Sequence, residues 1–432
     1  MNRPASAESS VLGRLSRRLP FFYGWVIVWI SFLCVFLMGA TSFWAVPIFV
    51  GPMHDDTGWS HTVIFSGLSV HFIAAAVGGL LIGPHADKRG GATRLLLVGV
   101  CIEAAALGSL RWATSPLHFL LLYGVVGGLA GSSIRLVQAA LIAKWFIVRR
   151  GAAVGIASIG GGISALIMVP LTTFFISALG WRDAWSALGA ILLLLLLPFA
   201  LLAVRAPEDL GLRPDNLAPD EPRSRGATVE TSYALRDVIR TWRFWLLVAG
   251  VLCGNYSLQT HTAVMVPHFE HIGFSAAAAA TSVSIYGLFS IGVRFIWGAY
   301  ADRRGVRVAI ITQAILTAVG ALVLLGVSSR LSLYAAMAFQ GLVLSGFPPL
   351  QILVWPEFFG RMHIGSIVGL TNLFSVIAGA AGPLIAGFLF DQTGTYATTL
   401  WMLVATWLTC SVILYFCKPQ KKVVPVEAAA LA

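Results

Sequence analysis

Long apolar segments dominate this chain and restrict it to one kind of architecture. Twelve runs of mostly uncharged residues follow one another between residues 22 and 417. A helix needs about 20 apolar residues to cross a bilayer. Open strands cannot satisfy their backbone groups in lipid, so the sequence predicts an all-α polytopic membrane protein. The predicted spans are 22–50, 62–84, 94–113, 117–145, 151–180, 183–204, 242–270, 277–301, 306–327, 331–355, 363–391 and 397–417.

The composition excludes a water-soluble enzyme. Only 11% of the residues are charged and 58% are hydrophobic, with a mean hydropathy of +0.84, whereas soluble chains carry about 25% charged residues. No phosphate-binding loop, HExxH sequence or nucleophile elbow occurs, and no cofactor is predicted. The net charge of +11 does not indicate nucleic-acid binding, because the basic residues stand at the ends of apolar runs. The five cysteines form no CxxC pair and are expected to be packing residues.

The basic residues also predict an orientation. If the twelve segments cross the membrane, 24 of the 29 Lys and Arg residues fall on one side. Arg111, Arg182 and Arg330 fall on the other side, and Arg135 and Arg294 lie inside spans. Cytoplasmic loops are enriched in Lys and Arg, so we expect both termini in the cytoplasm, in a multi-pass protein of the cytoplasmic membrane. The first apolar run is too long for a signal peptide and is expected to be retained.

Motifs recur at an interval of about 214 residues. Gly83-Pro-His-Ala-Asp87 returns as Gly298-Ala-Tyr-Ala-Asp302, and 151–155 returns as 365–369. The spacing predicts a six-helix unit duplicated in parallel, with substrate bound near the membrane midplane. The predicted divisions are an N-terminal tail at 1–21, a first half at 22–204, a linker at 205–241, a second half at 242–417 and a C-terminal tail at 418–432.

These motifs resemble those of a known family. The GxxxD pattern followed by basic residues is similar to the loop signature of the major facilitator superfamily. Two further segments resemble its branch of monocarboxylate transporters and bacterial oxalate–formate antiporters. The segments concerned are 83–87, 298–302, 144–160 and 294–302. The resemblance extends over residues 20–417 and implies the major facilitator fold, with twelve helices in two six-helix pseudo-repeats, and a transporter rather than an enzyme.

Arg294, in the eighth predicted span, is the leading candidate for substrate binding. A charge at the bilayer centre costs about 2.5–3.5 kcal/mol on insertion scales, so it normally faces a cavity or a partner. No acid stands one turn before it, where the residue is Ser290. A guanidinium can bind a carboxylate through two parallel N–H donors. The alternative is a structural pair with an acid on another helix. The further substrate-binding candidates are Arg135, His261, Asn372, Tyr256, Tyr286 and Phe374.

Several of these residues have alternative roles. Arg135, in an Arg-x-x-Gln sequence, binds an anion, takes part in proton coupling or pairs with Glu103. Glu103, the one acid at mid-span, carries a proton, pairs with an arginine or is partly exposed. His261 and His71 titrate near neutral pH or serve as packing residues. The aromatic candidates are equally compatible with packing.

Two other sets complete the candidate residues. The expected cytoplasmic gate consists of Gly83, Asp87, Gly298 and Asp302. Its acids would face the positive N-terminal end of a neighbouring helix. His268 and His271 share a helix face, but they lie at the outer end of a span, so no metal site is predicted.

The leading hypothesis is a secondary transporter of small organic anions, most of all monocarboxylates, coupled by symport or antiport to protons or a counter-anion. Its partners would be the substrate, the coupling ion and the lipid bilayer, with the monomer as the functional unit and no nucleic acid. The first alternative is an efflux carrier for drugs or neutral solutes. The second is a membrane receptor of transporter ancestry. The exact substrate and the direction of transport are not predicted.

Overall fold

The regular structure is helical throughout the described residues, and no strand occurs among them. The computed structural model describes residues 19–86, 90–147, 149–216, 235–359 and 364–417, together with Ser16 and Lys88. Proximity between Cα atoms divides the chain into two compact units. The first consists of Met1–Trp59 and Ser66–Ser224, and the second of Ser60–Phe65 and Arg225–Ala432.

Six long helices form most of the first unit, and two of them contain a π-helical segment. The segment Gly39–Phe43 interrupts α1, and Leu120–Gly127 interrupts α4. The helices are α1 (Gly24–Met38 and Ala45–Thr57), α2 (His61–Ala86), α3 (Gly91–Ser109), α4 (Pro116–Phe119 and Gly128–Trp145), α5 (Arg150–Leu179) and α6 (Trp181–Ala200).

The second unit contains six more long helices. They are α7 (Trp242–His271), α8 (Ala276–Arg304), α9 (Val306–Leu325), α10 (Arg330–Val343 and Phe347–Phe359), α11 (Ile364–Thr393) and α12 (Ala397–Phe416). The first turn of α2 also belongs to this unit, where Asp391 accepts hydrogen bonds from the backbone N–H groups of His61 and Thr62 at 3.1 and 2.9 Å.

Helix packing repeats between the two units. In the first unit α3 packs on α6 and α1 packs on α5. In the second unit the corresponding pairs, α9 with α12 and α7 with α11, pack on each other. The predicted duplication is therefore present in the tertiary structure.

Glycines with left-handed backbone geometry follow the same repeat. A positive φ is inexpensive only for glycine, so these positions mark turns that another residue would strain. The pairs are Gly58 with Gly273, Gly90 with Gly305, and Gly180 with Gly394. Each pair is separated by 214 or 215 positions, which is the interval of the sequence motifs.

Eleven helices in the described residues are long and apolar enough to cross a membrane. The one remaining predicted span, 242–270, corresponds to α7, which has 30 residues but a more polar composition. Its middle contains Asn255, Gln259 and His261, and its length and its packing on α11 identify it as the equivalent of α1.

Candidate functional site

Three residues predicted separately from the sequence come together in the first unit. Glu103 on α3, Arg135 on α4 and His71 on α2 lie around Thr41 and Tyr123, which the sequence analysis did not select. We call these five residues the Glu103 cluster. Glu103 is 1% exposed and His71 is 1% exposed, so both lie inside the helix bundle.

The two π-helical segments supply the hydrogen bonds of the Glu103 cluster. Thr41, in the first segment, donates from Oγ1 to Oε1 of Glu103 at 3.0 Å. The hydroxyl of Tyr123, in the second segment, donates to the carbonyl oxygens of Thr41 and Ser42, both at 3.3 Å. The ring of His71 bonds through Nδ1 to the Tyr123 carbonyl at 3.1 Å. π-Helical turns occur frequently at functional sites because they displace side chains from regular helical positions.

Arg135 interacts with Glu103 electrostatically but not through a direct ion pair. Its charge acts on Glu103, Tyr123 and His71, while Glu103 forms no ion pair among the residues described here. The Arg135 side chain is exposed, and its guanidinium carbon lies 6.0 Å from the ring centre of Phe72. The guanidinium therefore lies within electrostatic reach of Glu103 and forms no ion pair among the described residues.

Arg294 occupies the middle of α8 in the second unit. The residue is half-buried, and its guanidinium interacts electrostatically with the buried hydroxyl of Tyr286, two turns earlier on the same helix. Ser290 lies between them and donates its hydroxyl to the Gly287 carbonyl at 2.7 Å. The nearest polar side chains along this helix are therefore hydroxyl groups.

The other substrate candidates are more dispersed in the second unit. Tyr256 is half-buried, and its hydroxyl contacts Sδ of Met402 on α12 at 3.2 Å. Phe374 packs edge-on against Trp245, with ring centres 6.1 Å apart. Asn372 is exposed on α11. The structure thus gives two of these side chains packing partners and leaves the amide accessible.

His261 is completely buried in α7. Neither of its ring nitrogens forms a hydrogen bond with any residue in the described ranges. His268 lies near enough to interact with it electrostatically. No group of three or more His, Cys, Asp or Glu residues suited to a metal ion occurs in the described part of the chain.

The predicted gate residues occupy helix ends. Gly83 and Gly298 have open space where a Cβ atom would project. Asp302 is exposed in the last turn of α8, and Asp87 lies outside the described residues. The acid that meets a helix start here is Glu357, whose Oε2 accepts the N–H of Val306 at 3.1 Å.

The chain matches known proteins over most of its length. The family model of the Major Facilitator Superfamily matches residues 31–312 and 252–431. The chain belongs to the major facilitator superfamily. Within the superfamily it is similar to monocarboxylate transporter 11 of Mus musculus, with 30% identity over 374 residues, which cover 83% of this chain and 76% of that protein.

Two further similarities cover nearly the whole chain. The oxalate:formate antiporter of Oxalobacter formigenes is 23% identical over 439 residues, covering 98% of each protein. The crystal structure of a D-xylose-proton symporter superposes with a TM-score of 0.71 at 14% identity, covering 93% of this chain and 99% of that chain. The predicted fold, branch of the superfamily and general function as a membrane transporter rather than an enzyme are confirmed.

Sequence reasoning missed Thr41 and Tyr123. Both stand in apolar runs, where a single hydroxyl usually bonds to its own helix. The glycines of Gly39-Ala-Thr-Ser-Phe43 and Tyr123-Gly-Val-Val-Gly-Gly128 are the only local signal that the backbone departs from a regular helix there. That signal does not indicate which side chain the hydroxyls reach.

Proposed function

We propose that this transporter carries small organic anions, monocarboxylates above all, across the cytoplasmic membrane by alternating access. Transport is coupled to protons or to a counter-anion, and the functional unit is the monomer with both termini in the cytoplasm. The names of the relatives, monocarboxylate transporter and oxalate:formate antiporter, support this substrate class.

The position of Arg294 carries the proposal. A guanidinium in the middle of a spanning helix is costly in lipid and is retained in membrane proteins mainly for function. On the same helix Ser290 lies one turn earlier and Tyr286 two turns earlier, and the Tyr286 hydroxyl interacts with the guanidinium electrostatically. A planar guanidinium in that setting can form two parallel hydrogen bonds with a substrate carboxylate.

Arg135 is the second anion-binding residue in this proposal. It lies on α4 of the first unit, inside a span. The remaining contacts to substrate are assigned to Asn372, Tyr286, Tyr256, Phe374 and His261.

Coupling and gating complete the proposed cycle. Glu103, His261 and His71 are the candidates to carry a proton. Gly83, Asp87, Gly298 and Asp302 form the cytoplasmic gate.

The test is a graded substitution of Arg294 in purified protein. Arg294→Lys keeps the charge but loses the two-pronged donor, so transport of radiolabelled lactate or oxalate into proteoliposomes should fall. Arg294→Gln should be nearly inactive. In addition, lactate or oxalate should raise the melting temperature of the wild type and leave that of Arg294→Gln unchanged, because a ligand stabilises only the state that binds it.

Arg330→Gln is the matched control, since Arg330 is an exposed arginine at the start of α10. It should keep both transport and stabilisation by ligand. Stabilisation that persists in a well-folded Arg294→Gln protein would contradict the assignment. Uptake of neutral solutes but not of carboxylates would favour the alternative efflux function.

A further inference from the structure

Glu103 is the one buried acid on a spanning helix in the part of the chain that the structure describes. Only Glu103 and Asp215 are buried among the acids there. Asp215 lies in the linker, where its oxygens accept the backbone N–H groups of Ile147 and Arg149 at 2.6 and 3.1 Å. An ionisable group within a membrane span that has no ion-pair partner is a candidate for proton transfer.

Thr41 is placed to bond to Glu103 in either protonation state. Its Oγ1 lies 3.0 Å from Oε1 of Glu103 and 3.2 Å from the carbonyl oxygen of Leu37. A hydroxyl has one proton and two lone pairs, so it donates to only one of these acceptors at a time. When Glu103 is ionised, Thr41 donates to the carboxylate. When Glu103 is protonated, the acid donates to Thr41 and Thr41 donates to Leu37.

The backbone around Thr41 is fixed by contacts that do not involve this proton. The π-helical turn is closed by the Trp44 N–H, which donates to the Gly39 carbonyl at 2.9 Å. The Tyr123 hydroxyl donates a hydrogen bond to the carbonyl oxygen of Thr41. The second carboxyl oxygen of Glu103 faces Gly131, where an added Cβ would lie 3.3 Å from it. Protonation can therefore change the direction of the hydrogen bonds without moving the helices.

Few titratable side chains interact with Glu103. Those that interact with it directly are Cys34 on α1 and both Tyr123 and Arg135 on α4. His71 on α2 is linked to it through Arg135. The charged residues of α6 form ion pairs elsewhere, Arg182 with Asp56 and Asp183 with Arg111. Arg135 is thus the one cation that can respond to the charge of Glu103 within the described residues.

We propose that Glu103 is the proton-binding residue of this transporter, that Thr41 holds it in both protonation states, and that Arg135 couples its proton to the anion. The coupling part rests on the proposed function. An anion bound at Arg135 neutralises the cation that stabilises the Glu103 carboxylate, so the anion and the proton each strengthen binding of the other. One monocarboxylate and one proton then cross the membrane together, without net charge.

The first experiment needs no substrate. Infrared difference spectra of the purified full-length protein, recorded against pH, contain the carbonyl bands of all protonated Asp and Glu side chains. Subtracting the spectra of Glu103→Gln from those of the wild type should leave the band of one protonated carboxylic acid, which disappears as pH rises. Glu103→Gln should lack this band. Asp183→Asn, which removes an exposed acid of the same unit, should retain it. A wild-type titration that persists in Glu103→Gln would overturn the proposal.

Thr41 is tested as a positioning residue through the same titration. Thr41→Val keeps the shape of the side chain and removes its hydroxyl. Because a hydrogen bond to the ionised carboxylate is stronger than one to the neutral acid, the midpoint of the Glu103 band should move to higher pH, by up to about one pH unit. Thr41→Ser should restore the wild-type midpoint. These two variants leave Glu103 in place and serve as the test if Glu103→Gln does not fold. A midpoint that is identical in all three proteins contradicts the role of Thr41.

Transport in proteoliposomes tests the coupling. The wild type should accumulate radiolabelled lactate or oxalate when a pH gradient is imposed and should exchange it for unlabelled anion. Glu103→Gln should lose accumulation driven by the gradient and retain measurable exchange, whereas Asp183→Asn should do both. Gradient-driven accumulation by Glu103→Gln would overturn the proposal.

The two proposals fail in different ways. If the wild type transports neither anion, the proposed function is wrong, and the infrared titration still decides whether Glu103 binds the proton. If the anion shifts the Glu103 titration in the wild type and equally in Arg135→Gln, coupling through Arg135 is wrong.

Discussion

Gly99 illustrates how closely α3 and α4 approach each other beside the Glu103 cluster. A Cβ atom at Gly99 would lie 2.9 Å from the backbone oxygen of Ala130 and closer still to the hydroxyl of Ser133. Since a backbone oxygen cannot turn away, Gly99→Ala should destabilise the protein by about 1–3 kcal/mol, as overpacking does. Gly108→Ala is the control on the same helix, with nothing within 4 Å of the new atom. Thermal unfolding in detergent should therefore place Gly99→Ala below the wild type and Gly108→Ala at or above it. Equal melting temperatures would contradict this view of the contact.

At the same scale, the sequence predicted the charged members of the Glu103 cluster but not the hydroxyl groups. Glu103 and Arg135 are visible because a charge in an apolar run is rare and costly. Thr41 is 62 positions away from Glu103 along the chain, and only the tertiary fold brings the two together. A hydroxyl in a span costs little, so its presence carries no comparable signal.

At the scale of elements, helix starts are stabilised by acids from distant parts of the chain. Glu357 caps α9, as Asp391 caps α2. A carboxylate that accepts a hydrogen bond from an unpaired N–H at a helix start stabilises the helix in two ways. It supplies the missing hydrogen bond, and its negative charge interacts favourably with the helix dipole. Glu357→Ala should therefore lower the free energy of unfolding by about 0.5–2 kcal/mol. Asp302→Ala removes an exposed acid near the same loop and should change it by less than about 0.5 kcal/mol. Chemical denaturation of the two variants separates these outcomes, and a larger effect of Asp302→Ala would refute this view of the loop.

The spans were predictable from the sequence, and the caps were not. The seventh predicted span, 242–270, differs by one residue from α7, because run length and backbone satisfaction in lipid leave few alternatives. The first was predicted to end at 50, yet its helix continues through Pro52 to Thr57. Polar residues there ended the apolar pattern without ending the helix. The caps join residues up to 330 positions apart in the chain, and no local sequence pattern predicts contacts between residues so far apart.

At the scale of the whole molecule, the uneven distribution of basic residues predicts which side faces the cytoplasm. The end of α8 carries Arg303 and Arg304, whereas the first turn of α10 carries only Arg330. Positive loops stay on the cytoplasmic side during insertion. Cysteines introduced at Ser328 and Arg303, both exposed, report the two sides once the exposed Cys101 and the half-buried Cys253 are replaced by serine. An impermeant maleimide should label Ser328→Cys in intact cells and Arg303→Cys only after the membrane is permeabilised. The opposite pattern would reverse the proposed orientation and place both termini outside, because the helices between these loops and the chain ends would keep their order.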